Sequence, residues 1–503
     1  MNKLSIFDAG NPSPCPDPFN IADYVLAQAQ ETPDKSALEV YLNSDAPSEV
    51  WSYKELHSAV LGTAGGLRER GIGIGDRVLL RIGNSADFPV LFLAAIAIGA
   101  VPVPTSSQLA EPEVRRIIEE LDPALICFAG GVAPLTDLTC DWLDQSALRA
   151  LRSAPPTQPV PRKPDDLAYI IYTSGTSGKP RAVMHAQRSV WARRMMQEGW
   201  HGLQSDDRML HAGAFNWTYT LGAGLLDPWA YGATTMIYAG SPNKAIWAAL
   251  AREHHPTIFA AAPGVYRQVL QHPLSTDFAS LRFGLSAGEK LPAGLSQRWQ
   301  EQTGKVIYEA LGMSEVATFI SSSTTMPAIK GSSGRVQKGR RVAVLGAEGP
   351  VPLNTPGVLA VCRGDQGLML GYRGQPTETA AKFQGEWFVT GDMVSMDAQG
   401  NITYLGRDDD MINAGGYRVS PLEIEGVLQG FDGITEVAAV AVQVKQEVSV
   451  IAAFYVSDDP IADNKLNTYC AARLARYKCP RIFTRIEALP KGANNKLRRK
   501  ELR

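Results

Sequence analysis

YTSGTSGKPR, Tyr172–Arg181, decides how the rest of this chain is read. LAYII (167–171) precedes it as a short apolar run of the buried-strand kind. AQRSVWARRMMQEGW (186–200) follows with the apolar spacing of a helix. Thr173, Ser174, Gly175, Thr176 and Ser177 are glycine or hydroxyl-bearing in direct succession, and Gly178 and Lys179 complete the loop. Such a loop offers backbone N–H groups, hydroxyls and one ammonium to a chain of phosphates. It is not the P-loop of nucleotide triphosphatases, which needs G-x-x-x-x-G-K-[ST]. Thr173 stands at the first position of that pattern and Pro180 follows Lys179, so the match fails twice.

Outward from the loop, TIFAAAP (257–263), RFGLSAG (282–288) and KVIYEALG (305–312) are short apolar runs ending in small residues, as strands feeding loops do. Alternation of such runs with helical stretches predicts an α/β fold with largely parallel sheet. Upstream, SAPPTQPVPRKPDD (153–166) reads as extended surface chain. Val90 to Pro104 is the longest apolar run, yet it holds Gly99, Pro102 and Pro104 and is too short to span a membrane. It is expected to be buried helix or strand. After Val358 the texture changes. GVLAVCR, WFVTGD and NITYLGR suggest antiparallel strands, and DDDMINAGGYR breaks the pattern. Helix, two strands and a helix should follow, through SPLEIEGVLQGF, EVAAVAVQV, VSVIAAFYV and LNTYCAARLARYK. The expected organisation is a large N-terminal domain of sheets flanked by helices, 1–406, and a small mobile α+β C-terminal domain, 407–503. The basic end, KLRRKELR, reads as a solvated tail.

Composition narrows the function classes. The 503 residues carry 49 basic and 51 acidic side chains, so no basic surplus points to nucleic acid. Six cysteines show neither C-x-x-C spacing nor zinc-ligand spacing with histidine. They are expected to be reduced thiols of a cytoplasmic protein. The N-terminal MNKLSIFDAG has no apolar core of the signal-peptide type.

YEALGMSE (308–315), TGD (390–392), GRDDDMINAGGYRVSPLEIE (406–425) and LPKGANNKLRRKEL (489–502) come in order after the loop. Together with YTSGTSGKPR they resemble the adenylate-forming superfamily of acyl-CoA synthetases, peptide-synthetase adenylation domains and luciferases. The resemblance implies ATP, Mg²⁺ and coenzyme A as cofactor and co-substrates. A carboxylate attacks the α-phosphate of ATP, and a thiol then displaces AMP. Thr173, Ser174, Gly175, Thr176, Ser177 and Lys179 match the family's phosphate loop. Glu315 matches the carboxylate that helps hold Mg²⁺, with Ser314 near the α-phosphate. Ser286, Ala287, Gly288 and Glu289 match the adenine-side segment. Asp392 matches the acid on the ribose hydroxyls, and Arg407 the nearby ribose and phosphate contact. Lys496 matches the adenylation lysine, preceded here by Asn495 instead of the usual glycine. Asp409 takes the hinge position, and Gly415 and Gly416 the coenzyme A tunnel.

The acid is less legible. GAFNWTYTLG (213–222) corresponds to the family's aromatic gate, so Phe215, Trp217 and Tyr219 are expected in the acyl pocket, with Leu311 where many members have an aromatic. Leu311 and the segments SAGE, EVATFISSS and YRVSPLEIE look most like the benzoate–CoA ligase branch. The pocket segments show no definite charge, so a compact monocarboxylate is expected. A short aliphatic acid, or a carrier protein in place of coenzyme A, are the alternatives. No carrier domain follows Lys496, which favours free coenzyme A. No membrane partner is expected, and a homodimer is compatible with the resemblance.

Overall fold

The short apolar runs become parallel strands. The computed structural model describes residues 3–174, 180–241, 243, 245–272, 274, 277–408, 410–414, 417–445, 448–474, 476–492 and 497–502. Phe283–Ala287 lies between Ile258–Ala261 and Ile307–Met313, with Ser286 opposite Ala261 on one side and Glu309 on the other. The sheet continues in parallel through Arg208–Ala212 and Thr234–Tyr238 to Ser36–Tyr41. Antiparallel strands flank it: Glu49–Ser52 at one side, Ala317–Ser321 and Gly334–Val336 at the other. Strands buried on both faces need apolar side chains throughout, which is why these runs do not alternate. Helices Ile246–His254, Pro263–Val269 and Ala293–Thr303 make crossovers. Beneath them Trp299 packs with its ring centre 4.8 Å from those of Tyr266 and Phe278.

A second parallel sheet joins Val101–Pro104, Arg77–Ile82, Leu125–Ala129 and Asp141–Leu143. The helix beside it, Asp87–Ala97, is buried along its whole length. A helix apolar all round must be a core helix. The run Val90 to Pro104 is therefore this helix followed by a strand, as expected. Residues 153–166 run over the surface with none fully buried. Thr157 and Val160 donate to the carbonyls of Leu61 and Ala97, which fixes the segment.

Two local expectations are corrected. The glycine-rich loop does not lead from strand to helix. Leu167–Ser174 and Pro180–Ala186 are antiparallel, with Ile170 opposite Met184 and Thr173 opposite Arg181. The segment thus connects two antiparallel strands, not a strand and a helix. Nor is 186–200 one α-helix. Arg188–Trp191 is α, Ala192–Arg194 is 3₁₀ and Gln197–His201 is π. The irregular turns let two residues of unlike chemistry face inward, Trp200 with its indole N–H on the Tyr308 carbonyl at 3.1 Å and Arg193 on Asp227. Such mid-helix irregularity commonly marks functional sites.

The chain divides into two compact units. The larger is Asp8–Arg341 with Cys362–Glu386; the smaller is Met1–Phe7, Val342–Val361 and Trp387–Arg503. In the smaller unit Trp387–Met396 and Asn401–Arg407 pair antiparallel. A three-stranded sheet of Glu436–Lys445, Val448–Val456 and Ile482–Arg485 follows, covered by helices Pro421–Leu428 and Asp463–Ala471. Ile424, Leu428, Ile451, Leu466 and Phe483 form its core. The basic end is not a free tail. The guanidinium of Arg499 is ion-paired to Glu425, with Nη2 to Oε2 at 2.9 Å, and also meets Asp410 at 3.7 Å. Among the described residues no helix is long and apolar enough to cross a membrane. All six cysteines are unbridged.

Candidate active site

The strand Ile307–Met313 runs out of the sheet's centre and delivers Ser314 and Glu315 in a tight turn to Ala317–Ser321. Two features make the turn possible. Gly312 leaves no room for a Cβ, which would lie 2.3 Å from the Ala317 carbonyl oxygen. Ala317 itself takes φ 70°, a left-handed conformation that a non-glycine residue holds only under constraint. Glu315 is buried, and its Oε1 accepts from the Tyr372 hydroxyl at 2.7 Å. Burial, then the neighbouring carboxylate, push the Tyr372 phenol above its usual range, so it stays a donor. The second carboxylate oxygen makes no hydrogen bond among the described residues. Ser314 Oγ lies 3.4 Å from Thr218 Oγ1.

Thr173 and Ser174 end the strand that enters the phosphate loop, opposite Arg181 and Pro180. Arg181 pairs with Glu378 at 2.9 Å and stacks over the Tyr372 ring at 5.2 Å. Gly175, Thr176, Ser177 and Lys179 lie outside the described residues, as do Asp409, Gly415, Gly416 and Lys496.

On the adenine-side segment Ser286 is fully buried and its Oγ has no hydrogen-bond partner among the described residues. Gly288 takes φ 93° with nothing within 4 Å of a built Cβ, so the strand exit presents bare backbone to open space. A flat base can approach such a surface closely. Glu289 is half-buried beside it. Lys290 turns inward instead, to Glu309 at 3.0 Å and Ser333 at 2.6 Å.

Of the four expected acyl-pocket residues, Phe215 and Tyr219 pack in different core clusters. Phe215 belongs to the main core, with its ring 5.1 Å from that of Phe88. Tyr219 packs instead against the cluster of Met196, Trp200, Ala223, Ala287 and Ala310. Its hydroxyl donates to the Leu285 carbonyl at 3.2 Å. Trp217 is half-buried at the start of the helical turn Thr218–Leu221, and Leu311 is half-buried in its strand. Behind Tyr219 stands His211, edge-on at 4.5 Å and without a hydrogen bond to either ring nitrogen among the described residues. Burial pushes its imidazole down to about 3, so it is neutral.

Within the smaller unit, Asp392 and Arg407 form an ion pair. Arg407 Nη1 donates to Asp392 Oδ1 at 3.0 Å across the strand pair. Gly391, at φ 84°, allows this, since a Cβ there would come within 2.8 Å of the guanidinium. Tyr404 adds a hydroxyl at 3.4 Å.

Sequence reasoning missed Thr218, Tyr372 and Arg193. Tyr372 lies far along the chain from Glu315, and nothing local signals it. Arg193 sits in a stretch that reads as an amphipathic helix, where an arginine is normally solvated. It is 8% exposed and paired with Asp227 at 2.6 and 2.7 Å.

Two family models match: AMP-binding enzyme over residues 25–373, and AMP-binding enzyme C-terminal domain over 423–496. A 3-hydroxybenzoate–CoA/4-hydroxybenzoate–CoA ligase of Thauera aromatica is 32% identical over 90% of this chain and 91% of its own length. A benzoate–CoA ligase of the same organism is 30% identical over 100% of both chains. Among solved structures, a benzoate CoA ligase from Burkholderia xenovorans LB400 superposes with a TM-score of 0.87. It is 26% identical and covers 96% of this chain and 100% of its own.

Proposed function

The chain belongs to the AMP-binding enzyme family, and from that premise we propose that it is an ATP-dependent ligase joining a benzoate-like aromatic acid to coenzyme A. The observation that carries this reading is the likeness, along nine-tenths of the chain, to a ligase named for hydroxybenzoates.

The chemistry has two halves. An oxygen of the acid attacks the α-phosphorus of ATP, the bond to the β-phosphate oxygen breaks, and pyrophosphate leaves. The thiol sulfur of coenzyme A then attacks the acyl carbonyl, loses its proton to solvent, and expels AMP. Two anions must meet in the first half, so donors and cations have to offset their repulsion. Thr173, Ser174, Thr176, Ser177 and Lys179 hold the β- and γ-phosphates, and Ser314 lies by the α-phosphate. Glu315 fits a Mg²⁺ ligand, since one oxygen is fixed by Tyr372 and the other is unengaged among the described residues. Mg²⁺ typically takes one or two carboxylates and completes its shell with phosphate oxygens and water. When bound, it neutralises phosphate charge. Ser286, Gly288 and Glu289 border the adenine, and Asp392 and Arg407 the ribose. Lys496 is the cation on the acid and the α-phosphate. Residues 407–503 turn about Asp409 between the halves, and Gly415 and Gly416 then border the thiol's path. The expected site of action is the cytoplasm, where ATP and coenzyme A are available.

The test is pyrophosphate release across a panel of acids from acetate to octanoate and from benzoate to cinnamates, with and without coenzyme A. Coenzyme A-stimulated release with a compact aromatic acid is expected. Release that coenzyme A does not stimulate would point to a carrier-protein acceptor, and silence across the panel would overturn the reading.

A further inference from the structure

Glu315 stands where two stretches of the larger unit meet. One is its own turn, residues 313–318. The other is residues 365–372, which supply the phenol on its carboxylate. The Met369 N–H donates to the Glu315 carbonyl at 2.7 Å. Gly367 lies so close to the turn that a Cβ there would come 2.8 Å from the Val316 carbonyl oxygen. The same Cβ would come 2.9 Å from Nη1 of Arg340.

Arg340 closes this junction. It is fully buried, and it lies in none of the motifs that carry the family resemblance. Its Nη1 is ion-paired to Asp365, whose carboxylate is buried too. Its Nη2 donates to the Thr318 carbonyl at 3.1 Å, one residue beyond the left-handed Ala317. One guanidinium therefore bridges the two stretches. Asp365 Oδ1 also accepts the Gly367 N–H at 2.8 Å, which fixes the bend of the second stretch. Arg188 holds the same bend from another element, giving Nη1 to the carbonyls of Gln366 at 2.6 Å and Leu368 at 2.9 Å.

A buried ion pair adds little stability, because desolvating both charges offsets their attraction, and apolar residues of like volume often do better. Arg340 is also incompletely satisfied, since its Nε has no hydrogen bond among the described residues. What the pair supplies is direction. A planar guanidinium holds a carboxylate and a carbonyl at fixed angles, which an apolar contact does not. The turn needs such a restraint: Ala317 at φ 70° keeps its conformation only where its surroundings impose it. Were the turn to relax, Ser314 and Glu315 would move with it.

We propose that Arg340 and Asp365 are positioning residues for adenylate formation, locking residues 365–372 against the turn so that Glu315 is held for the triphosphate. The proposal rests on the ligase reading above. It also separates the two half-reactions. Thioester formation starts from an adenylate that has no β- and γ-phosphates to neutralise, so it depends far less on where Glu315 points.

The experiment follows both halves in the full-length protein, with the acid of the panel above that turns over fastest. Pyrophosphate release reads the first half, and acyl-CoA formation from the supplied acyl-adenylate reads the second. Arg340→Met combined with Asp365→Asn removes both charges and keeps the acceptor for Gly367, so the melting temperature should stay close to that of the wild type. Pyrophosphate release is expected to fall about 10–100-fold, as for other partners that support a metal-ligating carboxylate. Arg340→Lys keeps the charge balance but offers one ammonium in place of a fork, so it should show a smaller loss in the same half. Thioester formation from the adenylate should be little changed in both variants. Amide hydrogen exchange at Met369, whose N–H donates to Glu315, should quicken in both. Equal loss in the two halves would mean that the pair serves only the general fold, and would overturn the proposal. So would pyrophosphate release or Met369 exchange that neither variant alters. If the double variant is insoluble, Arg340→Lys decides on the same readouts. A wild type that releases no pyrophosphate with any acid would overturn the ligase reading and this role together.

Discussion

Glu315 shows how much a single side chain depends on its surroundings. Its carboxylate is buried, yet it is held by one hydrogen bond from Tyr372 at 2.7 Å. That bond fixes the orientation of the carboxylate. Removing the charge and removing its orientation should therefore have different consequences. Glu315→Gln keeps the shape but loses the anion, and adenylate formation is expected to fall on the order of 100-fold or more. Tyr372→Phe keeps the anion but frees it to rotate. Losses from such supporting partners run about 10–100-fold in metal affinity or activity. The expected signature for Tyr372→Phe is a raised Mg²⁺ requirement, with much of the rate recovered at high Mg²⁺. A Mg²⁺ titration of pyrophosphate release for both variants checks this. A Tyr372→Phe enzyme with unaltered Mg²⁺ dependence would mean that the phenol has only a packing role.

At the scale of elements, the small C-terminal sheet depends on an arginine from the last described stretch of chain. Arg499 reaches the end of helix Pro421–Leu428, where Glu425 also accepts from the Ala439 backbone N–H at 2.7 Å. Helix, strand and terminus are thus tied at one carboxylate. Removing one partner of this half-buried pair leaves the other charge without its ion, a loss on the order of 1–3 kcal/mol. Arg499→Met should loosen this unit, seen as faster proteolytic trimming after residue 407 while the larger unit stays intact. Unchanged cleavage would remove the structural role. The same arginine shows where sequence reading stops. Strands such as Phe283–Ala287 and Ile307–Met313 were legible because their pattern is local: an apolar run, then small residues. Asp392 and Arg407 stand out singly through motif resemblance, but their ion pair is visible only in the fold. Arg499 reads as part of a solvated tail because nothing within a few residues of it hints at Glu425, and no local signal ties Arg193 to Asp227. The hairpin after Ser174 was missed for a related reason, since a strand beginning at Pro180 declares itself only through its pairing.

Across the larger unit, three fully buried histidines make a common statement about pH. His185 and His211 are held near a pKa of 3 by burial, and His201 near 4 by burial only partly offset by Asp227 at 3.6 Å. His57 is lowered by burial as well. An unfolded chain titrates its histidines near 6.5. Below that pH the unfolded state takes up protons that the folded state refuses, so each lowered histidine removes stability as pH falls. The loss is about 1.4 kcal/mol per pH unit for each such group, and it ends where the folded form at last protonates. The penalty is absent above pH 6.5 and largest near pH 3–4. The urea midpoint of the larger unit, followed by tryptophan fluorescence, should therefore drop steeply from pH 7 to pH 5, before most carboxylates begin to titrate. His211 has no hydrogen bond to lose, so His211→Phe should flatten that slope without adding an unpaired group. A midpoint level between pH 7 and pH 5, or a slope that His211→Phe does not change, would mean that these imidazoles find protons or water inside the fold.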